Sequence, residues 1–368
     1  MKKVLVFGIT ENPGGVESVI MNYYRNINKE KIQFDFLCNT EIVAYEDEIL
    51  QLGGNIYRIT ARSKNRKQYK KDLKTFFEAH KGEYSSIWVN VCSLANIDYL
   101  KYAKKYGIEK RIIHAHNSQN MDSFIRGILH RINKLIISKY ATDYWSCSKE
   151  SSCFFYNRRL MKSSDYRIIN NAIDTEKYKY DENTRNEYRR NLNIDDKIAF
   201  VSIGRLHFQK NQEFVIKIFK KINEKNPNTV LYLIGDGPDK TKIKRLIGEL
   251  ELDNSVFLLG IRDDVPELLQ SFDVLLFPSI FEGLPLVLIE AQASDILIFA
   301  SENIESDEVL MNKEKIRFMS LEKSAEEWAN EIIREFQSNS NRSDSTESIK
   351  QHGFDIKTET KKFERIII

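Results

Sequence analysis

The chain has 368 residues, a formal net charge of +3, 42% hydrophobic residues and 30% charged residues. This length suits two domains of about 150–200 residues, and the small net charge gives no indication of nucleic-acid binding. No apolar stretch approaches the roughly 18 residues of a membrane span, and the four cysteines show no C-x-x-C spacing, which favours a reduced, cytosolic protein without zinc or disulfides.

Short apolar runs alternate with helical patterns through the first half of the chain. The run that follows Lys2 and Lys3 is too short for a signal peptide and predicts a buried strand. Helical spacing is present over 16–27 and 67–79. Strand–helix alternation predicts a parallel sheet with helices on both faces. The predicted strands of this half are 3–8, 32–38, 55–59, 86–91, 111–116 and 142–147.

The same pattern begins again in the second half, where four helical intervals separate five apolar runs. We predict a linker over the polar stretch 174–196, a loop over 338–348 and a last helix over 356–367. The corresponding domains are 1–180, 181–350 and a terminal segment 351–368. Two such α/β domains would form a cleft at the carboxyl ends of their strands, where these folds bind ligands. The predicted strands are 197–204, 229–235, 255–260, 273–279 and 295–301.

The first predicted strand is followed by a glycine-containing turn, GITENPGGVES, from Gly8 to Ser18. Glycines let the backbone approach a ligand closely, and the N–H groups at a helix start attract anions. An ordinary strand-to-helix turn explains the stretch equally well. The sequence has neither G-x-G-x-x-G nor G-x-x-x-x-G-K-[ST], which argues against a nicotinamide or flavin cofactor and against a P-loop ATPase.

Two cations follow the first strand of the second half, in SIGRLHFQKNQEF. Arg205 and Lys210 would project from one strand-to-helix loop, with Asn211 as the predicted N-cap of the next helix. A forked guanidinium and a flexible ammonium together suit a diphosphate. The alternative is a pair of solvated surface cations.

Two glutamates bracket a turn and an apolar run in FEGLPLVLIEAQ. Glu282 falls in a strand-end loop, Pro285 suits the first helical position, and Glu290 lies five residues further, about 7.5 Å along the helix axis. The two carboxylates could address separate parts of one elongated ligand, such as the sugar and the ribose of a nucleotide sugar. A capping acid and a helix-surface acid are the plainer alternative.

His114 and His116 alternate along one strand and face the same side. A metal pair would need a third ligand, and the sequence offers no accompanying cluster. The two histidines could equally be core or capping residues.

Several motifs, in order, resemble the retaining GT-B glycosyltransferases of the family called glycosyl transferases group 1, or family 4, and in particular bacterial capsule and exopolysaccharide transferases. The resemblance covers nearly the whole chain. Its most specific parts are the G-R-L-x-x-x-K element and the two glutamates that bracket FEGLPLVLIE. The motifs are GGVE (14–17), HAH (114–116), INNAIDTEKY (169–178), GRLHFQKN (204–211), IGDGP (234–238), LGIRDDVPELL (259–269) and FEGLPLVLIEAQA (281–293).

The resemblance implies two Rossmann-like domains with sheets that face each other across a cleft, and a last helix that returns to the N-terminal domain. It implies no metal and no cofactor, and the absence of D-x-D agrees with cations taking the place of a metal. The nucleotide sugar would be a substrate. The implied catalytic residues are Glu282, Arg205, Lys210 and His116.

The donor site follows from the same motifs. Arg205 and Lys210 would neutralise the diphosphate, Glu282 would contact the sugar, and Glu290 the ribose. Arg262 would lie near the base through its backbone, and His116 beside the transferred sugar, with Asn117 and Ser118 near the acceptor. The remaining donor-binding residues would be Gly14, Gly15, Gly283, Leu284, Leu286 and Val287.

The sequence departs from the family pattern in two places. Ser294-Asp295-Ile296-Leu297 stands where relatives carry S-G-x-P, and this change is expected to loosen the following turn. Asn170-Asn171-Ala172 replaces P-N-G, a milder change. Both leave the donor residues intact, so we expect activity.

The predicted reaction is transfer of a sugar from a nucleoside diphosphate, with UDP expected, to a glycan or lipid-linked acceptor with retention of configuration. The alternatives are a sugar-nucleotide epimerase of the same fold and a degenerate, non-catalytic partner protein. The segments 62–76 and 124–140 mix cations with apolar residues and could attach a cytoplasmic enzyme to an anionic membrane surface. Ordinary solvated helices are the alternative.

Overall fold

The structure is a computed structural model that describes residues 1–119, 123–304 and 310–368. It divides into two compact units. The first comprises Met1–Ala172 together with Ile356–Ile368, and the second comprises Ile173–Asp355.

The first unit is built on a parallel sheet of seven strands in the order β3-β2-β1-β4-β5-β6-β7. Its central strands are continuous apolar runs because both faces of a parallel sheet are covered by helices. The strands are β1 (Lys2–Phe7), β2 (Ile32–Cys38), β3 (Ile56–Arg58), β4 (Ser86–Val91), β5 (Lys110–Ala115), β6 (Asp143–Ser146) and β7 (Tyr166–Ile168).

Seven α-helices belong to this unit within the described residues, and they include the last helix of the chain. Phe363 of that helix stacks on Tyr23 with ring centroids 4.3 Å apart and meets Trp88 at 5.0 Å. The last helix therefore packs on the first unit, as the resemblance implied. The helices are α1 (Gly15–Asn26), α2 (Glu46–Gln51), α3 (Arg66–Ala79), α4 (Asp98–Lys105), α5 (Phe124–Ile136), α6 (Lys149–Phe155) and α15 (Ile356–Ile367).

The second unit contains a parallel sheet of six strands in the order β10-β9-β8-β11-β12-β13. The strands are β8 (Ile198–Ile203), β9 (Thr229–Ile234), β10 (Val256–Gly260), β11 (Val274–Phe277), β12 (Leu297–Ser301) and β13 (Ile316–Met319). The helices are α7 (Thr175–Tyr178), α8 (Glu182–Leu192), α9 (Gln212–Lys225), α10 (Lys240–Glu249), α11 (Val265–Ser271), α12 (Leu286–Ala293), α13 (Ala325–Ser338) and α14 (Thr346–Gln351). Short 3-10 helices occur in the first unit at Ile137–Lys139 and Leu160–Lys162, and in the second unit at Phe208–Lys210 and Glu302–Ile304.

All eleven predicted strands are present, each within two residues of its predicted ends. The sequence analysis missed β7 and β13, which have three and four residues and lie at the edges of their sheets. Strands this short carry too few residues for a period-two pattern to be detected.

The predicted linker over 174–196 is wrong. The stretch forms α7 and α8, both within the second unit. Arg189 explains why so polar a segment is ordered: its guanidinium is buried and donates to the Ser271 carbonyl at 2.8 Å and to the Lys197 carbonyl at 2.6 Å. Buried charges are retained when they are hydrogen-bonded in this way.

The boundaries of the units also differ from the predicted limits at 180 and 350. The second unit begins at Ile173 and ends at Asp355. These two ends are joined, because Ile173 N–H donates to the Phe354 carbonyl at 2.9 Å and the Thr175 hydroxyl donates to Asp355 at 3.0 Å.

Asp295 does not loosen the turn before β12. It adopts a left-handed conformation with φ of +55°, a backbone geometry that glycine adopts without steric cost. Its buried carboxylate accepts hydrogen bonds from Ser343 N–H at 2.6 Å and from Asn312 at 3.1 Å. The departure from the family motif thus ties the turn to the loop before α14.

Candidate active site

Glycines hold two loops against each other at the carboxyl edge of the second sheet. Gly204 and Gly235 follow β8 and β9 with φ of +147° and +133°. A Cβ added to Gly235 would lie 2.2 Å from the Gly204 carbonyl oxygen, and one added to Gly237 would lie 2.3 Å from that of Leu206. The loops are therefore in backbone contact, which only glycine permits at these positions.

Lys210 lies in the space that Gly204 leaves open. A Cβ on Gly204 would be 2.9 Å from Lys210 Cε. The ammonium is 2.7 Å from Glu282 Oε1 and lies 4.6 Å from the centroid of the Phe277 ring. Both side chains of the ion pair are largely buried, with exposed fractions of 18% for Lys210 and 10% for Glu282.

The loop that carries Lys210 is bonded to the loop that carries Glu282. Ile280 N–H donates to the Gln209 carbonyl at 2.8 Å, and the Gln209 side-chain amide donates to the Phe281 carbonyl at 2.9 Å. Asn211 precedes α9 as predicted, but its side chain does not cap the helix. It donates instead to the Pro278 carbonyl at 3.2 Å. The relative position of Lys210 and Glu282 is therefore fixed by three bonds between their loops.

Arg205 is an exposed cation on the same loop. Its backbone carbonyl accepts from Gln212 at 2.9 Å, whereas its guanidinium makes no hydrogen bond or ion pair with any residue that the structure describes. This guanidinium can bind an anion without first breaking a protein contact.

Glu290 is the fifth residue of α12 and is partly buried. Its Oε1 accepts a hydrogen bond from the Tyr178 hydroxyl at 2.9 Å. Removal from water raises the pKa of Glu290 to about 7, although the bond from Tyr178 acts in the opposite direction. Its carboxyl group therefore changes charge near neutral pH.

The helix start between the two glutamates differs slightly from the prediction. Pro285 occupies the N-cap position instead of the first helical position, and Leu286 and Val287 are the first two residues of α12. Their N–H groups are among those that a helix leaves unpaired at its start. Gly283 and Leu284 form the bend before the helix.

Arg262 follows β10, and its side chain is bound to its own loop. The guanidinium donates to Asp264 at 2.7 Å. The Gly260 carbonyl, two residues earlier, accepts from Gly235 N–H at 2.8 Å. The side chain of Arg262 is thus engaged, while the backbone of its loop adjoins the β9 loop.

In the first unit, Gly14 is the N-cap of α1 and Gly15 is its first residue. Glu17 lies in the first turn, and its carboxylate accepts from the Thr10 hydroxyl at 2.6 Å and from Thr10 N–H at 3.2 Å. A Cβ on Gly14 would lie 2.8 Å from Glu17, whereas one on Gly15 would meet nothing within 4 Å. Glu17 thus holds the β1 loop beside an open helix start.

His116 lies directly after β5. Its Nε2 is 2.9 Å from Asn90 Oδ1, and Asn90 in turn donates through Nδ2 to the Phe7 carbonyl. Because an amide oxygen only accepts, Nε2 carries the proton of the imidazole. Burial lowers the pKa of His116 to about 3, so the ring is neutral at physiological pH.

The two residues after His116 have different surroundings. Asn117 is buried, and its side chain donates to the Gln119 carbonyl at 2.8 Å and accepts from Ser118 N–H at 3.0 Å. Ser118 is partly exposed. Asn117 therefore shapes the loop, and Ser118 is the more accessible of the two.

The predicted residues therefore fall into separate groups. Lys210 and Glu282 are in contact, Glu290 contacts Tyr178, and His116 and the Gly14–Gly15 turn belong to the first unit. Sequence reasoning gave no role to four residues that position these groups: Glu17, Asn90, Tyr178 and Phe277. Glu17 lies in the GGVE motif and Tyr178 in the INNAIDTEKY motif, so their positions in the family motifs could have indicated a role. Asn90 and Phe277 were visible only as strand residues.

Across residues 1–119, 123–304 and 310–368, no group of three or more histidine, cysteine, aspartate or glutamate side chains is placed to hold a metal ion.

Comparison with known proteins shows which proteins the chain is similar to. Residues 184–352 match the family model of the glycosyl transferases group 1. A protein from Bacillus subtilis strain 168 named "Putative glycosyltransferase EpsF" is 29% identical over 339 residues, which is 90% of this chain and 87% of that protein. The UDP-Gal:alpha-D-GlcNAc-diphosphoundecaprenol alpha-1,3-galactosyltransferase of Escherichia coli is 30% identical over 171 residues, 45% of this chain and 44% of the enzyme.

Solved structures share the fold over the whole chain. The crystal structure of Anabaena Alr3699/HepE in complex with UDP and glucose matches with a TM-score of 0.82 at 18% identity, covering 99% of both chains. WaaG, a glycosyltransferase involved in lipopolysaccharide biosynthesis, matches with a TM-score of 0.76 at 15% identity and the same coverage. The architecture is the GT-B fold. The second unit therefore resembles the glycosyl transferases group 1, and the whole chain shares the fold of solved glycosyltransferases.

Proposed function

We propose that this glycosyltransferase moves a sugar from a UDP-sugar to a hydroxyl group of a glycan or lipid-linked acceptor, with retention at the anomeric carbon, in the synthesis of a capsular or extracellular polysaccharide. The observation that carries the proposal is the loop pair of the second unit. It holds the Lys210–Glu282 ion pair and the unpaired guanidinium of Arg205 on interlocked backbone.

These groups suit a diphosphate leaving group. The negative charge that grows on the diphosphate would be stabilised by Arg205, by Lys210 and by the first amides of α12, all held in place before reaction. The diphosphate would compete with Glu282 for Lys210, which frees the carboxylate to accept hydrogen bonds from sugar hydroxyls. Glu290, when ionised, would accept from the ribose diol.

The acceptor oxygen forms a bond to the anomeric carbon, the bond from that carbon to the diphosphate oxygen breaks, and the proton of the acceptor hydroxyl leaves with the diphosphate. The neutral imidazole of His116 would act as a hydrogen-bonding group beside the sugar, not as a charged one.

The comparisons support the choice of donor and acceptor. Anabaena HepE was crystallised with UDP and glucose and also with UDP-glucose. The Escherichia coli relative is named for transfer from UDP-Gal to a sugar on diphosphoundecaprenol. We therefore propose a UDP-sugar donor and an acceptor sugar carried on a lipid diphosphate.

The test is to incubate the purified protein with a panel of nucleotide sugars, with and without lipid-diphosphate-linked acceptors, and to analyse the products by mass spectrometry and NMR. Release of UDP and formation of a product with the donor's anomeric configuration are expected. An epimerised nucleotide sugar without acceptor would indicate an epimerase instead. If the protein neither hydrolyses nor transfers the sugar of any donor, the result would indicate a non-catalytic partner protein.

A further inference from the structure

Helix α5 exposes its apolar residues to solvent. The exposed fractions are 81% for Phe124, 70% for Ile125, 41% for Ile128, 51% for Ile132 and 79% for Leu135. With about 100° of rotation per residue, these five side chains fall within roughly 100° of the helix circumference. They form one continuous apolar stripe, which we call the α5 face.

The opposite side of α5 is held by polar bonds. His130 and Asn133 are buried: His130 Nδ1 accepts from Leu94 N–H at 3.0 Å, and Asn133 donates to the Leu94 carbonyl at 2.6 Å. Lys134 donates to the Phe154 carbonyl at 2.8 Å. The helix is thus inverted relative to an ordinary surface helix, which buries its apolar stripe. These hydrogen bonds fix the orientation of α5 on the first unit, so its apolar side faces solvent.

The second segment that the sequence analysis associated with a membrane behaves in the ordinary way. Helix α3 buries its apolar side chains, Tyr69, Leu73, Phe76 and Phe77, and presents its lysines to solvent. Of these two segments, α5 is therefore the one that leaves a stripe of apolar side chains for a partner to cover.

The charges around the α5 face are positive. The helix contains no acidic residue, and Arg131 adjoins the stripe, is exposed and makes no hydrogen bond or ion pair with described residues. Arg126 and Lys139 are also exposed, and Glu150 is the acidic residue of the neighbouring helix α6. A second copy of the chain docked on this face would bring like charges together, whereas an anionic lipid surface would complement them.

We propose that the α5 face inserts into the interfacial region of an anionic lipid bilayer, with Arg131 bound to headgroup phosphates. Within the described residues no helix is long and apolar enough to cross a membrane. An amphipathic helix of 13 residues instead lies in the plane of the interface, with its apolar stripe among the upper acyl carbons. The inference concerns attachment and stands independently of the identity of the sugar transferred.

The test is flotation of the full chain with vesicles of neutral lipid and with vesicles rich in phosphatidylglycerol, each at low and at high salt. Binding to the anionic vesicles is expected, and it should weaken as salt rises. The double variant I132S/L135S should reduce partitioning at least about tenfold. R131E should remove the preference for anionic vesicles.

Matched controls distinguish binding through the α5 face from non-specific binding to vesicles. Ile42 and Leu50 lie elsewhere in the first unit and are 70% and 52% exposed, close to the values for Leu135 and Ile132. The variant I42S/L50S should partition like the unchanged protein, and K71E, on α3, should keep the anionic preference. Circular dichroism and UDP affinity would verify that each variant is folded.

Three results would overturn the inference. The first is no binding of the unchanged protein to anionic vesicles at low salt. The second is binding that I132S/L135S and R131E leave unaltered. The third is a dimer in analytical ultracentrifugation that I132S/L135S dissolves while vesicle binding is absent, which would assign the face to a second copy of the chain.

Discussion

The two strand-end regions that carry the candidate residues differ in charge. In the second unit, the loops after β8 and β11 hold a lysine, an arginine and a glutamate on interlocked backbone. In the first unit, the loop after β5 presents a neutral imidazole whose proton is directed to Asn90. The charged candidate groups therefore lie at the strand ends of the second unit, and the loop after β5 in the first unit offers a neutral hydrogen-bonding group.

This difference separates two kinds of contribution to catalysis. Groups in the second unit should affect binding of the nucleotide and the departure of the diphosphate. Groups in the first unit should affect the rate of transfer with little effect on nucleotide affinity. The following predictions test that separation, in order of decreasing effect.

The largest effect is expected for Lys210→Ala. It removes a preorganised cation from the diphosphate site, so kcat/KM for transfer should fall by about 10³-fold and UDP affinity should weaken with it. Transfer assays and calorimetry measure both. Lys221→Ala is the matched control. Lys221 pairs with Glu224 on the exposed side of α9, so its removal should leave kcat/KM and UDP affinity unchanged. Near-normal transfer by folded Lys210→Ala would remove the diphosphate assignment.

Glu290 should make UDP affinity depend on pH. Its pKa of about 7 means that the carboxyl group loses its charge as pH falls through neutrality, so affinity should decline below pH 7. Glu290→Gln should abolish that dependence and weaken binding about tenfold at pH 8. Tyr178→Phe removes a bond that favours the ionised form and should move the midpoint to higher pH. Calorimetry from about pH 6 to about pH 9, which spans the midpoint, measures UDP affinity and distinguishes the unchanged protein from Glu290→Gln and Tyr178→Phe.

The ionisation of Glu290 also predicts a pH dependence of stability, and its direction is opposite to that of UDP affinity. In the folded chain Glu290 keeps its proton up to a pKa of about 7, above the ordinary value of 4.5, so the folded state binds more protons between these limits. The free energy of unfolding therefore decreases as pH rises through this window. Glu290→Gln should raise the melting temperature of the unliganded protein at pH 8, and a lower melting temperature would contradict the account.

His116→Ala should reduce kcat by about tenfold to a hundredfold while UDP affinity stays within about twofold. The activity of the unchanged protein should show no pH dependence from this ring above pH 5, since its pKa is about 3. Asn117→Ala provides a comparison, because Asn117 bonds within its own loop. Loss of UDP affinity in folded His116→Ala would show that the two units are not separated in function.

The smallest effect on activity is expected for Asp295→Gly. Glycine keeps the left-handed backbone but loses the carboxylate that holds the loop before α14, so stability should fall by about 1–3 kcal/mol. Asp295→Ala should lower the stability further, because alanine disfavours a φ of +55°. Thermal unfolding measures both changes, and kcat should be unaltered. A large loss of kcat would connect this turn to the site.

Much of the fold was predictable, for physical reasons that differ among its parts. Central strands such as β1 and β9 are uninterrupted apolar runs, so both their existence and their class were evident in the sequence. The segment 174–196 was misassigned because Arg189 is satisfied by the Ser271 carbonyl, 82 residues away in the chain, which composition does not reveal.

The site was predictable as residue types and less so as contacts. The positions of Lys210, Glu282 and Glu290 followed from motifs. The contact of Lys210 with Phe277 and that of Glu290 with Tyr178 depend on loops brought together by the fold. Similarly, the α5 segment had an amphipathic pattern, but only its polar bonds to the loop at 93–94 and to Phe154 of α6 show that the apolar side faces outward.

The most direct test of the central claim is a crystal structure of the protein with UDP bound. The account predicts that the diphosphate lies within hydrogen-bonding distance of Lys210 Nζ and the Arg205 guanidinium, with the ribose hydroxyls at Glu290. A structure in which Lys210 remains paired only with Glu282 while the diphosphate binds elsewhere would contradict it.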